Sequence, residues 1–339
     1  MKFIRSDRCS RNRWIHAQFS ILALLFFGFT APEGAAKPPI DIVSTTGMIG
    51  DLVRSVAGPR AQVEVLMGEG VDPHLYKARP SDVRKLLRAD ITFYNGLFLE
   101  GRMAEVLGQA ARRGRKVVAL GEIFSKSSLL HPKESSGHPD PHVWMDVSLW
   151  RKTLEVIVRT LVSFDPTGES VYRANSEALS LQLQRLDRYV HEVIASIPRG
   201  NRVLVTAHDA FGYFGRAYNI DVQGIQGIST ESEAGLADIN RLVNFIATRK
   251  IPAVFVESSV PEKNVRALIE GTASRNHRLI VGGQLFSDAM GRPGSWEGTY
   301  IGMIDHNATT ISRALGGSPP EGGYRAWKHP SSPEPKSSR

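Results

Sequence analysis

Cysteine is nearly absent from this chain of 339 residues, whose only thiol belongs to Cys9. An internal disulfide, a catalytic thiolate elsewhere in the chain and a cysteine-based metal site are therefore excluded. The short motif CxxC, which places two metal ligands close together, is absent too. The motif HxxxH occurs only at 138–142 (HPDPH), where two prolines disfavour the helix that would bring both rings to one ion.

Long hydrophobic runs are also lacking. The longest covers residues 19–29 (FSILALLFFGF), which is too short to span a bilayer as a stable anchor. Basic residues precede this run, and small residues ending at Ala36 follow it, so the order predicts a signal peptide over residues 1–36. Cys9 would be removed with it, and no cysteine would remain to carry a lipid anchor. We expect a mature protein in the periplasm.

Basic residues outnumber acidic ones only moderately. The chain has 42 Lys and Arg against 34 Asp and Glu, a net charge of +8, and its basic run at 112–116 (RRGRK) is short. This distribution argues against a nucleic-acid partner. Hydrophobic residues make up 42% of the chain, as in ordinary globular proteins, and the length suffices for two domains. We expect a monomer.

The longest helical pattern lies between Pro166 and Pro198. Its apolar residues recur at alternating steps of four and three, which forms one stripe along a helix: Leu179, Leu183, Leu186, Val190, Val193 and Ile197. At about 1.5 Å per residue, such a helix is a rod of about 45 Å. We interpret residues 166–198 as a rigid linker helix.

Strand and helix patterns alternate on both sides of this linker. The predicted strands are 40–44, 63–67, 91–94 and 116–120 before it, and 202–206, 222–228, 253–257 and 279–285 after it. Alternation of this kind predicts mainly parallel sheets flanked by helices. The predicted fold is α/β, with two similar lobes joined by one long rigid helix. The lobes cover residues 37–165 and 199–316, and a polar tail at 317–339 is predicted to be disordered.

Metal-ligand side chains follow four of the predicted strands. Ligands of parallel α/β sheets bind at the carboxyl ends of strands, where this chain places His74, His142, His208 and Asp288. Three imidazoles and one carboxylate suit a divalent transition metal. A single histidine after a strand is more often a surface or capping residue, so the pattern alone leaves that interpretation open. We interpret His131 and His138, in the polar loop before His142, as solvated.

Five segments occur in a specific order: DPHLY at 72–76, DPHVWMD at 140–146, TAHDAFGYFGRAYN at 206–219, VFVESSVPEKNVRALIE at 254–270 and LFSDAMG at 285–291. Through them the chain resembles, from about Ile40 to Leu315, the metal-binding proteins of ABC uptake transporters of the TroA/ZnuA type (cluster A-I). The resemblance implies two α/β lobes joined by a long helix. It implies metal ligands at His74, His142, His208 and Asp288. It gives Glu257 only a supporting or structural role.

The resemblance also bears on the metal. Zinc-dedicated members of this family usually carry a long loop rich in histidine and acidic residues before the second ligand, whereas this chain has only His131 and His138 there. Many manganese-binding members have Glu at the third ligand position, where this chain has His208, a softer ligand that favours Zn²⁺. The implied cargo is therefore Zn²⁺ or Mn²⁺, and Fe²⁺ stays open.

The sequence thus predicts high-affinity capture of a divalent metal in a cleft between the lobes. Delivery would be to an integral-membrane ABC permease with its cytoplasmic ATPase, and docking would release the metal by displacing the ligand pair of one lobe. A zinc-dependent hydrolase is one alternative, with Asp209 or Glu257 as general base, but four protein ligands leave no open position for water. A binding protein for a metal chelate or haem is the other, and it predicts a wide cleft.

Overall fold

The computed structural model describes residues 38–132 and 137–328. The predicted signal peptide and residues 329–339 of the predicted tail lie outside these ranges. Within them, no helix is both long enough and apolar enough to cross a membrane.

A four-stranded parallel sheet organises the first part of the chain. Its strands, in the spatial order β2-β1-β3-β4, are β1 (Ile40–Thr46), β2 (Ala61–Met67), β3 (Ile91–Tyr94) and β4 (Lys116–Ala119). The central strands β1 and β3 are almost entirely buried, as expected for a parallel sheet covered on both faces. The accompanying helices are α1 (Gly47–Ala57), α2 (Pro80–Arg88), α3 (Met103–Arg112), α4 (Val147–Trp150) and α5 (Thr153–Phe164).

The predicted linker helix is present as α6 (Glu169–Ala195), preceded by a 3₁₀ turn at Pro166–Gly168. It ends before Pro198, because a proline disfavours helical backbone in the residue that precedes it. All six residues of the predicted apolar stripe are buried, together with Tyr172 and Tyr189. This face packs against α1 and α5 on one side and against the last long helix, α10 (Tyr300–Ala314), on the other.

Parallel strand pairs form the second part. Strand β5 (Val203–His208) pairs with β6 (Asp221–Gln226), and β7 (Ala253–Glu257) pairs with β8 (Ile280–Leu285). Strands β5 and β7 also lie side by side. The flanking helices are α7 (Gly212–Tyr218), α8 (Leu236–Arg249), α9 (Lys263–Ala273) and α10. The predicted fold class is confirmed, while the predicted domain limits stay a prediction.

One apolar core runs through both parts of the chain. It joins side chains of β1, α1 and α5 to the buried face of α6 and to α7 and α10. Smaller clusters lie between α8, α9 and the strands β5 and β7, and between β1, α2 and α3. Because α6 contributes to the core along most of its length, it joins the two parts through buried apolar contacts.

Residues 317–339 were predicted to be disordered, and this prediction is wrong for residues 317–328. This segment, the C-terminal strap, contains a 3₁₀ helix at Gly323–Ala326 and ends near the buried Trp327. The Trp327 indole donates a hydrogen bond to Glu192 Oε2 (3.1 Å), and the Tyr324 amide donates to Asp305 Oδ1 (2.8 Å). Pro and Gly make up five of its twelve residues, yet two aromatic side chains supply enough apolar surface to hold it in place.

Candidate metal centre

Four side chains converge on one buried point. His74, His142, His208 and Asp288 each offer one ligand atom, and these atoms all lie within 4.8 Å of one another. His74 follows β2, His208 is the last residue of β5, and Asp288 follows β8. His142 immediately precedes a 3₁₀ turn at Val143–Met145, after the long loop that follows β4. The structure therefore brings together all four residues that the sequence analysis selected.

The Nε2 atoms of the three imidazoles point at one another and at the carboxylate. Nε2 of His74 lies 3.3 Å from Nε2 of His142 and 3.7 Å from Oδ2 of Asp288. Nε2 of His142 is 3.2 Å from Oδ1 of Asp288, and Nε2 of His208 is 3.2 Å from Oδ2. Both Asp288 oxygens and His208 Nε2 are buried without a well-formed hydrogen bond. Buried polar atoms rarely stay unpaired, so this arrangement calls for positive charge at this point, either extra protons on the rings or a metal ion.

Two of the imidazoles are oriented by a buried carboxylate on their far side. The Nδ1 atom of His142 lies 2.7 Å from Asp140 Oδ1, which also accepts the His142 backbone N–H at 2.9 Å. His208 Nδ1 lies 2.5 Å from Glu257 Oε2, and the other oxygen of Glu257 accepts the His208 backbone N–H at 2.8 Å. Such contacts place the proton on Nδ1 and leave Nε2 free to ligate. Glu257 thus contacts a candidate ligand rather than the centre itself.

His74 is held differently. Its backbone N–H donates to Asp72 Oδ1 at 2.8 Å. In the described part of the chain no carboxylate lies within ion-pair distance of its Nδ1 atom. Asp72 instead uses its second oxygen to accept a hydrogen bond from Thr230 Oγ1, at 2.5 Å, in the second part of the chain.

The charges in the centre act on the pKa values of the histidines in opposite directions. Burial lowers the pKa of His74 to about 3, although the charge of Asp288 opposes this effect. Burial also disfavours protonation of His142, but the charges of Asp140 and Asp288 together outweigh it and raise the pKa to about 9. A metal-free centre at neutral pH therefore holds His142 protonated and His74 neutral.

His208 and Asp288 form a second charged pair in the metal-free centre. Burial disfavours the charged form of His208, but Glu257 and Asp288 raise its pKa well above the usual value. Burial likewise acts to raise the pKa of Asp288, and the charges of His208 and His142 overcome it and hold that pKa well below its ordinary range. Asp288 is thus ionised and faces two imidazolium groups.

Asp72 and Asp140 were not predicted from the sequence. Both stand two residues before a candidate ligand, in the repeated tripeptide Asp-Pro-His, and in both cases an aspartate oxygen accepts the backbone N–H of that histidine. The repeated tripeptide could have revealed both aspartates, because an aspartate side chain readily accepts a hydrogen bond from the backbone N–H two residues further along. The remaining histidines of the polar loop, His131 and His138, are exposed and lie outside the four-residue cluster.

A cavity of about 530 Å³ lies beside the centre, and its lining includes His138, Phe98, Pro141 and residues 227–229. Of the four candidate ligands only His74 lines it. The ring of His138 lies on Phe98 with 3.9 Å between ring centroids. His74 is therefore the candidate ligand nearest to the solvent route.

Comparison with known proteins agrees with this geometry. The family profile described as ZnuA, zinc-uptake complex component A, periplasmic, matches residues 42–314. The chain is 46% identical to the zinc-binding protein TroA of Treponema pallidum, over 87% of this chain and 96% of TroA. It is 42% identical to the manganese-binding lipoprotein MntA of Bacillus subtilis, over 88% of this chain and 96% of MntA.

Solved structures show the same fold. The periplasmic zinc-binding protein TroA from Treponema pallidum matches with a TM-score of 0.79 at 47% identity, over 82% of this chain and 99% of that chain. Fe(III)-bound YtgA from Chlamydia trachomatis matches with a TM-score of 0.72 at 27% identity, over 82% and 99% of the two chains.

Proposed function

The chain belongs to the ZnuA family of periplasmic metal-binding proteins, and on this premise we propose that His74, His142, His208 and Asp288 capture Zn²⁺ or Mn²⁺. Proteins of this family are binding components of ABC transporters and not enzymes. The captured ion would be delivered to a membrane permease that is driven by a cytoplasmic ATPase.

The observation that carries the proposal is the convergence of buried ligand atoms that lack hydrogen bonds. While the rings are neutral, Asp288 Oδ1, Asp288 Oδ2 and His208 Nε2 are all buried and unsatisfied, within reach of the Nε2 atoms of two more imidazoles. A cation at this point would satisfy them together. The ligand atoms are close enough for one ion and leave no room between them for a porphyrin or a bulky chelate.

The charge of the centre favours a divalent ion. Without metal, the rings of His142 and His208 each carry a second proton, and the charges of Asp140, Glu257 and Asp288 stabilise these two imidazolium groups. Because the metal binds neutral imidazole, an incoming ion must displace both protons. A doubly charged ion replaces two unit charges, so the buried cluster keeps the same net charge. A monovalent ion would leave uncompensated negative charge in a buried site.

The ligand chemistry permits both metals. Three nitrogens and one carboxylate favour Zn²⁺ over Mn²⁺ in intrinsic affinity, and the relative TroA is a zinc-binding protein whereas the relative MntA is a manganese-binding one. The Fe(III)-bound state of YtgA shows that the fold also accommodates iron. We therefore retain Zn²⁺ or Mn²⁺ as the cargo, with Fe²⁺ as a third ion to test.

Export and oligomeric state complete the proposal. Relatives are periplasmic proteins or lipoproteins, in agreement with a location outside the cytoplasm. We infer that residues 1–36 are a cleaved signal peptide, that the mature protein is a periplasmic monomer and that it carries no lipid. Mass spectrometry and N-terminal sequencing of the exported protein would test the cleavage and the absence of lipid, and size-exclusion chromatography with light scattering would test the monomer.

The central test uses the mature chain from Lys37, stripped of metal and melted with Zn²⁺, Mn²⁺ or Fe²⁺ in separate samples. An ion at a thousand times its dissociation constant stabilises the folded protein by about 4 kcal/mol, a shift of several degrees. His74→Ala and His208→Ala should both lose the shift, whereas His131→Ala, which replaces an exposed histidine outside the cluster, should keep it. An absent shift with every ion, or equal shifts in all variants, would refute the metal site.

A further inference from the structure

We propose that metal enters and leaves this centre through movement of the His74 segment alone, and that the hydrogen bond between Thr230 and Asp72 latches this segment closed. The inference rests on the proposed function and adds to it a route and a gate. In this proposal three ligands stay fixed and one moves, whereas the sequence alone suggested one ligand pair in each lobe.

The His142 segment precedes the linker helix in the chain but is tied to the part that follows it. The Tyr213 hydroxyl donates to the carbonyl oxygen of Asp140 (2.8 Å), and the Trp144 indole donates to the carbonyl oxygen of Ser287 (2.9 Å). The Tyr300 hydroxyl donates to the carbonyl oxygen of Trp144 (2.7 Å). All three hydrogen bonds are buried, so breaking them would leave unpaired polar groups away from water.

These bonds hold three of the ligands in one block. Ser287 is the direct neighbour of Asp288, and Asp140 orients the ring of His142. His208 is fixed by Glu257 at the end of the neighbouring strand β7. His142, His208 and Asp288 therefore keep their mutual positions whenever the block moves as a whole.

The His74 segment (residues 72–76) has a much weaker attachment to that block. Apart from the approach of His74 to the other ligands, its single side-chain hydrogen bond to the second part of the described chain is the one from Thr230 to Asp72. The same carboxylate accepts the His74 backbone N–H, so the latch and the ligand share one anchor. Just before the segment, Gly70 adopts a φ of 68°, a conformation that glycine tolerates easily and that suits a pivot.

The cavity supports the same route. His74 is the candidate ligand that lines it, and the neighbours of Thr230, Ser229 and Glu231, line it as well. Opening the latch would separate these walls and withdraw one ligand from the ion while three stay in place. A three-ligand state of this kind is a natural intermediate for exchange, since metal is still held while a vacant position admits a competing ligand.

The test measures the rate at which an excess of a chromophoric chelator removes Zn²⁺ from the mature chain. Thr230→Val replaces the hydroxyl by a methyl group of similar size, and Thr230→Ser keeps a hydroxyl. Since a hydrogen bond to a charged group is among the stronger ones, we expect release about tenfold faster from Thr230→Val and near the wild-type rate from Thr230→Ser. Thr272→Val, the same change at a buried threonine of α9, should leave the rate unaltered.

Amide hydrogen exchange of the wild-type protein, with and without Zn²⁺, tests the three-to-one division without any substitution. Removal of Zn²⁺ should increase exchange in residues 70–76 and leave residues 140–146 protected. Equal increases in both segments, or release rates of Thr230→Val within twofold of wild type, would overturn the latch while zinc binding itself stands. A wild-type chain that binds no zinc would instead refute the proposed function, and the latch with it.

Discussion

Replacement of Asp140 by asparagine offers a sharp test of how the centre balances metal against protons. In the wild-type protein Asp140 Oδ1 accepts both the ring Nδ1–H and the backbone N–H of His142. The side-chain amide oxygen that Asp140→Asn introduces can accept the same two hydrogen bonds, so the change removes the negative charge and leaves the geometry largely in place. Two effects on metal affinity follow, and they have opposite signs.

The first effect weakens binding. A carboxylate behind a ligating imidazole makes the ring a stronger donor and attracts the ion, and loss of such a partner typically lowers metal affinity by about 10- to 100-fold. The second effect strengthens binding at neutral pH. Burial disfavours the charged form of His142, and the charges of Asp140 and Asp288 raise its pKa to about 9. At pH 7 the wild-type protein therefore loses about 100-fold in affinity to proton competition at this one site.

Removal of the Asp140 charge lowers the pKa of His142 and relieves part of that competition. The affinity loss of Asp140→Asn should accordingly be about 10- to 100-fold at pH 9, where protons compete little, and less than tenfold at pH 7. Competition against a chelator of known affinity at each pH measures both values. The control is Asp146→Asn, because Asp146 caps α4 in the same segment through the Leu149 amide.

An affinity loss of the same size at both pH values would refute the proton competition. No loss at either pH would refute a role for the Asp140 contact altogether.

Three further measurements test other parts of the structure. Zn²⁺ binding at pH 7 should release about two protons, one each from His142 and His208. His74 should release none, because burial lowers its pKa to about 3. Calorimetry in buffers of different ionisation enthalpy counts the released protons, and a count below one would contradict the exchange of protons for metal. Burial raises the pKa of Glu100 to about 7, so its folded state holds a proton that the unfolded state releases near pH 4.5. The resulting stabilisation of about 3 kcal/mol is full at low pH and is lost as the pH rises through 7. Urea unfolding of metal-free protein from pH 4 to 8 should show this loss of unfolding free energy in the wild type and not in Glu100→Gln. Trp327→Ala should lower the free energy of unfolding by about 3 kcal/mol, because the side chain is buried, and leave Zn²⁺ affinity unchanged; equal stability would show that the C-terminal strap contributes nothing.

The long helix and the sheet edge that holds three of the candidate ligands were accessible from the sequence for physical reasons, whereas the full ligand set was implied by the family resemblance. The stripe from Leu179 to Ile197 is a local periodicity, and every helix that satisfies it presents the same face. The positions of His74, His208 and Asp288 follow from topology, because parallel strands bring their carboxyl ends to one edge whatever the intervening residues.

Contacts between distant side chains were not accessible in the same way. The pairing of Thr230 with Asp72, or of Trp144 with Ser287, depends on how two packed halves meet, and no local pattern encodes it. The order of the C-terminal strap was not predicted for the same reason. Its Pro and Gly content suggested disorder, while the order of Trp327 depends on a surface of α6 formed by Tyr189 and Glu192.

The buried carboxylates behind His142 and His208 are fixed counter-ions. They neutralise two protons in the empty protein and one divalent ion in the loaded protein, so both forms present nearly the same electric field at the surface. A permease that samples them would find little difference in long-range attraction between full and empty carriers. Discrimination would then depend on shape, and empty carriers would compete for the docking site in proportion to their abundance.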